Sequence, residues 1–572
     1  MFLSLGLGRD SEISGFESPP PNQESGPVES DDGNTLATER EALLVEGLSW
    51  KRVFRSQGEE KVDQENPRRE RSQRSALAQK RINGFYWGGA LLLTLGVRLY
   101  LFRNYYTINN DGVLYIEAAR HFWEGDWVAG LASFYPPLFP LMIAAVYPLF
   151  GDWELAGQFW PLVLGILVLF PLFGLLQRIY GHRVAYAGLL FYGMSPYLAR
   201  LSLEVRTELP YTFFLVVSLF FLQRGLENEK RMPLFVSGIV SALAYLARPE
   251  GIGLMVGGAA YLFYRQWGVG LPGRSLLKPA ALVLGFALVA APYVLYLRWD
   301  TGNWLISRKA SFIVSLGLAR YDPDGDQVGV KESAEVSIVR LISSRPLSYA
   351  GKVLIDSFRS LGYYFEALHY SYLPFLFIGW ILYFRGRFWE KGDSLLIAVI
   401  AFYLGVFALL YVTRRYGIPL VPISLGWVGA GFLAVKEYTC NRWGRKGMLI
   451  TGLVLLLFTV GTLPKTLQAI GEDKFYLRLA GAYLKEKPDR PTIVTTNGRV
   501  AFYAAGANRI LVKKSNELAG FLETADCDYI ALDKKAYLES ESALKQHGWS
   551  LEKEFSAGDR EALFVLRRAA GS

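Results

Sequence analysis

The sequence predicts an all-α polytopic membrane protein, with about eleven transmembrane helices and amphipathic juxtamembrane helices, followed by a small C-terminal α/β domain outside the membrane. Three observations carry this. Of the 572 residues 51% are hydrophobic, and the mean hydropathy of +0.20 averages a polar start, an apolar middle and a mixed end. The middle repeats apolar runs near the ~17–25 residues that a bilayer-spanning helix needs. Basic clusters fall on alternate connections between those runs, as the positive-inside rule requires.

Composition also removes some functions. The formal charge of +9 sits beside apolar runs, so it orients the chain in the membrane and no nucleic-acid partner is expected. Cys440 and Cys527 permit at most one disulfide, and the topology below puts them on opposite sides of the membrane. His121, His182, His369 and His547 are not at ligand spacing, which argues against a His-rich metal site.

In chain order, residues 1–82 read as a disordered cytoplasmic tail, rich in Ser, Glu, Pro, Asp and Arg and too poor in apolar surface to offset its ordering entropy. The opening Met1–Leu7 lacks the basic lead of a signal peptide. Arg68, Arg69, Arg71, Arg74, Lys80 and Arg81 border the first span, 84–102, and hold the N-terminus inside. The loop bearing Asp111 then lies outside. The next apolar piece, 136–150, is short and interrupted by Pro136, Pro137, Pro140 and Pro148, so it reads as re-entrant or interfacial. If it does not cross, spans follow at 157–177, 184–199, 209–222, 233–246, 252–264, 279–297, 372–384, 395–412, 417–435 and 448–463, and the basic clusters between spans fall inside. Crossing would invert all of them. The transmembrane module is therefore placed at 83–465.

The external connection 299–371 holds Asp322, Asp324 and Asp326, which lack the far ligand of an EF-hand and read as a solvated turn, and then helical stretches at 333–343 and 346–361. The last segment, 472–572, reads as a helix at 475–485, strands at 492–495, 509–512, 529–532 and 562–566, and no glycine fingerprint.

Four charged sets meet on the external side. Asp111 reads either as the N-cap of a helix over 112–123 or as a reactive carboxylate. Glu204, Arg206 and Glu208 form either a solvated turn or an acidic site. Arg248 and Glu250 lie between two short spans, where they either close a hairpin on each other or face a ligand. Arg414 and Arg415 are a basic pair on the side where basic residues should be scarce. A guanidinium fork suits a phosphate there, and a misassigned topology is the rival reading. Ionisable groups at membrane depth are costly unless paired, and so point to function. Tyr105, Tyr106, Tyr115, Trp123, Trp127 and Tyr135 form either an interfacial belt or a sugar-stacking surface. His121 is placed beside Glu117 without a catalytic role.

Several stretches together resemble a known superfamily. They are Asp111-Gly-Val-Leu-Tyr115-Ile-Glu-Ala-Ala119, Tyr135-Pro-Pro-Leu-Phe-Pro140 closed by Leu149-Phe150-Gly151, Leu246-Ala-Arg-Pro-Glu-Gly251, and Arg415-Tyr416-Gly-Ile-Pro419-Leu-Val-Pro422. Over residues 84–435 the chain resembles the GT-C superfamily of polyprenyl-phosphate-sugar-dependent glycosyltransferases, and within it the branch related to protein O-mannosyltransferases and the lipid A aminoarabinose transferase. The resemblance implies a bacterial inner-membrane enzyme that transfers a sugar from a polyprenyl-phosphate donor to an extracytoplasmic glycan, lipid or protein acceptor by inverting displacement. It maps the catalytic aspartate onto Asp111 and a second acidic position onto Glu204 or Glu208. Arg414 and Arg415, with Arg206 and Arg248 in reserve, are the donor-phosphate candidates. Tyr106, Tyr115, Tyr135 and Glu250 are the substrate-binding ones. Two departures stand out: Gly112 replaces the Glu that follows the aspartate in O-mannosyltransferases, and Phe134-Tyr135 replace the Glu-Lys of the aminoarabinose enzyme. No cofactor is certain, and a divalent cation is the one candidate. A transporter or flippase is the competing class, but it usually shows inverted repeats and midplane charges, and no such repeat is evident.

Overall fold

The computed structural model describes residues 67–267, 276–310, 346–386, 392–488, 491–505, 508–511, 527–558 and 561–568, with single residues 313, 518 and 521. The tail 1–66, the acidic turn 321–326 and the stretch 333–343 lie outside the described residues.

Helix α1 (Pro67–Arg103) runs from the basic border through the first apolar run, and its part Gly84–Arg103 is 20 residues long. At 1.5 Å per residue that is about 30 Å, the thickness of a hydrocarbon core. Two short helices follow, α2 (Asn110–Trp123) and α3 (Trp127–Leu131). Helix α4 (Leu138–Phe150) has 13 residues, about 20 Å, and stops at Gly151, whose φ of 62° suits a residue without Cβ. It is too short to cross.

Helices α5 (Trp153–Leu167) and α6 (Leu169–Tyr180) form one apolar rod of 28 residues. The segment expected as a single span at 184–199 is instead two helices, α7 (His182–Met194) and α8 (Pro196–Leu201). Pro196 lacks the N–H that would continue the ladder and starts a new helix in its first turn. Next come α9 (Glu208–Asn228), α10 (Arg231–Ala247), a 3-10 turn (Pro249–Gly251), α11 (Ile252–Trp267) and α12 (Leu277–Thr301). From residue 346 onward lie α13 (Pro346–Leu368), α14 (Leu373–Gly386), α15 (Asp393–Leu409), α16 (Arg414–Gly417), α17 (Val421–Trp443) and α18 (Arg445–Thr466).

Among the described residues, six helical rods are long and apolar enough to cross a membrane: Gly84–Arg103, Trp153–Tyr180, Glu208–Asn228, Leu277–Thr301, Arg414–Trp443 and Arg445–Thr466. The remaining expected spans form shorter helices. Helices α10 and α11 reach only about 25 Å each, which draws the turn between them inward. Helix α17 runs through the core with Trp427 fully buried, packed by α7 and α14. Helix α13 is amphipathic: Leu347, Leu354 and Phe358 are exposed, while Lys352, Asp356 and Ser360 turn inward. The Lys352 ammonium donates to the carbonyls of Ala408, Leu409 and Leu410 at 2.9–3.1 Å, closing the C-terminus of α15.

The C-terminal α/β fold comprises α19 (Phe475–Lys485), β1 (Thr492–Thr495), α20 (Gly498–Tyr503), β2 (Asn508–Leu511), β3 (Tyr529–Asp533), α21 (Lys534–Gln546), β4 (Trp549–Ala557) and β5 (Glu561–Arg568). The sheet order is β2-β1-β3-β5-β4, with β1 to β3 parallel and the β4–β5 hairpin antiparallel. Strand β4 and helix α21 are not apparent from the sequence. Strand β4 is an edge strand in which a bulge between Leu551 and Lys553 and the charged run Glu552, Lys553 and Glu554 hide the alternation. The sheet stands at the Asp111 end of the helices, because Ile470 exchanges backbone hydrogen bonds with Asn104 and Tyr106 at 2.9 Å each.

Candidate active site

The loop before α2 is held from two sides. The Ile108 N–H donates to the Tyr503 hydroxyl at 2.8 Å, and that hydroxyl donates to Glu154 at 2.7 Å. Arg499 donates to the Asn110 side chain at 2.7 Å. Asn109 then caps α2, its side-chain oxygen accepting the Gly112 N–H at 2.8 Å. The capping role is therefore taken, and the Asp111 carboxylate is left for other partners.

Asp111 Oδ1 accepts from the Tyr135 hydroxyl at 3.0 Å, and its Oδ2 lies 2.7 Å from Arg415 Nη2. Arg415 also donates through Nε and Nη2 to Glu208 Oε1 at 2.9 and 2.6 Å. The same oxygen is 2.8 Å from Arg248 Nη1. Arg248 in turn grips Glu250 through Nε and Nη2 at 3.3 and 3.1 Å. The result is an alternating chain, Asp111–Arg415–Glu208–Arg248–Glu250, assembled from four helix ends. Glu208 is 0% and Arg248 2% exposed, so these charges are tolerable only as a paired set. Burial alone would raise the Asp111 carboxyl, but Arg415, with Arg206 behind it, outweighs burial and holds it below the ordinary carboxylate range.

The loop carrying Glu208 is wedged in place by Val205. A Cβ on Gly112 would stand 2.8 Å from Ile108 Cγ1 and 3.0 Å from Val205 Cβ, and one on Gly157 would stand 2.6 Å from Val205 Cγ1. This accounts for Gly112 after Asp111: a glutamate there has no room.

The remaining candidates divide. Tyr135 reaches Asp111. Tyr115 is buried behind Tyr135, with ring centroids 4.2 Å apart and its hydroxyl 3.1 Å from Thr207 Oγ1, so it supports the site without lining it. Glu204 pairs with Arg206 at 3.0 Å, and Arg206 acts on Asp111 and Glu208 through its field. Arg414 points elsewhere, to Glu366 at 2.5 Å and over the Tyr197 ring. Tyr106 is drawn into the sheet junction, its carbonyl accepting from Arg478 at 3.0 Å and its ring against Phe475. His121 approaches Asp126 at 3.7 Å rather than Glu117.

Sequence reasoning missed Lys309. It lies just past α12 with its Nζ 5.0 Å from the Tyr135 ring centroid, and Arg248, Glu250, Glu208 and Arg415 act on it electrostatically. Arg308 and Lys309 are basic residues on the expected external side, the same signal that marked Arg414 and Arg415. A divalent cation does not fit the chain of charges. Each of its carboxylates already engages a guanidinium, and among the described residues no group of three His, Cys, Asp or Glu could hold a metal.

Residues 135–299, which include Tyr135, Glu204, Glu208, Arg248 and Glu250, match the family described as dolichyl-phosphate-mannose-protein mannosyltransferase. No curated protein sequence matches the chain. The fold is similar to that of ArnT from Cupriavidus metallidurans bound to undecaprenyl phosphate, at 14% identity and a TM-score of 0.54 over 85% of this chain and 98% of that one. Apo ArnT gives 13% and 0.52 over the same shares. The archaeal oligosaccharyltransferase AglB from Archaeoglobus fulgidus, in complex with an inhibitory peptide and a dolichol-phosphate, gives 12% and 0.50 over 82% of this chain and 71% of that one. The chain thus shares its fold with ArnT, a helical architecture with six rods among the described residues long and apolar enough to cross a membrane, and carries the mannosyltransferase-family match over residues 135–299.

Proposed function

We propose that the protein transfers a sugar from a polyprenyl-phosphate donor to a glycan, lipid or protein acceptor, with inversion, on the extracytoplasmic face of a bacterial inner membrane. The observation that carries this reading is the Asp111 carboxylate held between Tyr135 and Arg415 at one end of the helical bundle. In a single displacement the acceptor oxygen attacks the anomeric carbon, the carbon–phosphate-oxygen bond breaks, and the acceptor proton passes to a base. Asp111 is that base. Arg415 keeps it ionised and also weakens it. An arriving phosphate competes for the guanidinium, loosens its hold on Asp111, and raises the basicity of the carboxylate when the donor is present. Glu208 fixes Arg415 between Asp111 and Arg248, and Glu204 with Arg206 borders the acceptor side.

The C-terminal fold shares this face, and the N-terminus lies in the cytoplasm. Support for that orientation comes from the opposite end of the bundle, where Arg178 pairs with Glu227 at 2.7 Å and Lys278 approaches Glu229 at 3.9 Å, among the basic connections that the positive-inside rule places inside. A transporter reading finds no comparable support, because the paired set Asp111–Arg415–Glu208–Arg248–Glu250 lies at helix ends rather than along the middle of the rods. Mass analysis of cell-envelope glycans from cells with and without the protein tests the function. One sugar-bearing species should disappear with the protein. Identical glycan profiles would remove the proposal.

A further inference from the structure

One charged side chain at the site stands outside the alternating chain. Lys309 is 9% exposed, and among the described residues no hydrogen bond or ion pair reaches it; its ammonium lies over the face of Tyr135. A buried ammonium carries three donors and is costly without an acceptor. The backbone beside it is nevertheless pinned. The Tyr245 hydroxyl donates to the Ile306 carbonyl, the Ala310 N–H donates to Ser307 Oγ at 2.9 Å, and Arg308 pairs with Asp300. Lys309 is thus held, not stray.

Charge arithmetic gives it a purpose. Asp111, Glu208 and Glu250 contribute three negative charges and Arg415 and Arg248 two positive ones, so the chain alone carries −1 and repels an anionic donor. Lys309 brings the sum to zero without committing its donors to a carboxylate. We propose that Lys309 takes the donor's phosphate, its ammonium above Tyr135 receiving the phosphate oxygens while the anomeric carbon faces Asp111.

This rests on the glycosyl-donor reading above and names the residue that reads the donor headgroup. As the acceptor oxygen bonds to the anomeric carbon, the electron pair of the breaking bond goes to the phosphate oxygen. The phosphodiester, at −1, becomes a monoester that approaches −2, and the acceptor proton goes to Asp111. The new charge forms beside Lys309. Burial, and then Arg248, pushes the Lys309 ammonium down to about 8, so it is still charged at neutral pH.

The test uses the full chain in detergent with two probes, a polyprenyl monophosphate and the polyprenol of equal length. Wild-type protein should bind the phosphate more tightly than the alcohol. Lys309→Met should weaken phosphate binding by about 10- to 100-fold, as loss of a charge-assisted contact does, and leave alcohol binding unchanged. Lys309→Arg should restore the preference. A Lys309→Met protein that keeps the preference overturns the assignment, and so does one that loses both lipids equally, since that marks a packing role on Tyr135. A wild-type protein without the preference overturns the donor reading, and the Lys309 assignment falls with it.

Discussion

Glu208→Gln removes one negative charge from the middle of the buried chain without changing its shape. Arg415 Nε and Nη2 then face an amide across 2.9 and 2.6 Å, and Arg248 Nη1 faces it across 2.8 Å. Two guanidinium groups, one of them 2% exposed, lose the carboxylate they share. Removing one partner of a buried ion pair costs about 3–5 kcal/mol, because the remaining charge is left uncompensated. At 1.36 kcal/mol per decade that is a shift of about 10²- to 10⁴-fold toward unfolding. Glu204→Gln is the matched control. Among the described residues Glu204 pairs with Arg206, and both side chains keep some exposure, so its loss strands one partly solvated guanidinium where loss of Glu208 strands two. Thermal unfolding in detergent, followed by tryptophan fluorescence, should therefore show a large drop in midpoint for Glu208→Gln and a small one for Glu204→Gln. Transfer should be abolished in the first and reduced in the second. Equal midpoints for the two variants would refute the claim that Glu208 holds the set together.

Other outcomes follow from neighbouring contacts. Tyr503→Phe deprives the Ile108 N–H and Glu154 of their shared hydroxyl, which should cost about 1–3 kcal/mol and lower kcat more than it raises KM, measured by unfolding midpoint and steady-state transfer. Gly112→Glu should misfold or misplace Asp111, since its Cβ would already lie 2.8 Å from Ile108; loss of expression or of transfer checks this, and a fully active variant would contradict it. The pH dependence has a definite sign. Lys309 sits below its ordinary value, at about 8, so its charge is lost as pH rises through that region. Transfer at limiting donor should fall on the alkaline side near pH 8, and Lys309→Arg, which stays protonated, should remove that limb.

Much of the site was legible because buried charge is rare in apolar sequence. Asp111, Glu208, Arg248, Glu250 and Arg415 each border an apolar run, and desolvation cost is what makes such residues stand out. What sequence could not supply was direction. Arg414 and Arg415 are adjacent on a helical turn, so their side chains leave about 100° apart, and only Arg415 faces Glu208. Tyr106 looked like a site aromatic, but its neighbours Ile470 and Phe475 come from far along the chain. Lys309 was hidden in a polar loop whose approach to Tyr135 depends on tertiary contacts. In the fold, the apolar rods and the parallel strands could be read from periodicity, whereas the break at Ser195-Pro196 and the charged edge strand β4 could not.

The most direct measurement supplies purified protein with a polyprenyl-phosphate-linked sugar and quantifies the polyprenyl phosphate released. Wild type should release it in step with acceptor glycosylation. Asp111→Asn, which keeps the shape of the side chain but cannot take a proton, should bind the donor and release none. Release by the Asn variant at the wild-type rate, or none by the wild type with any sugar donor, would contradict the account.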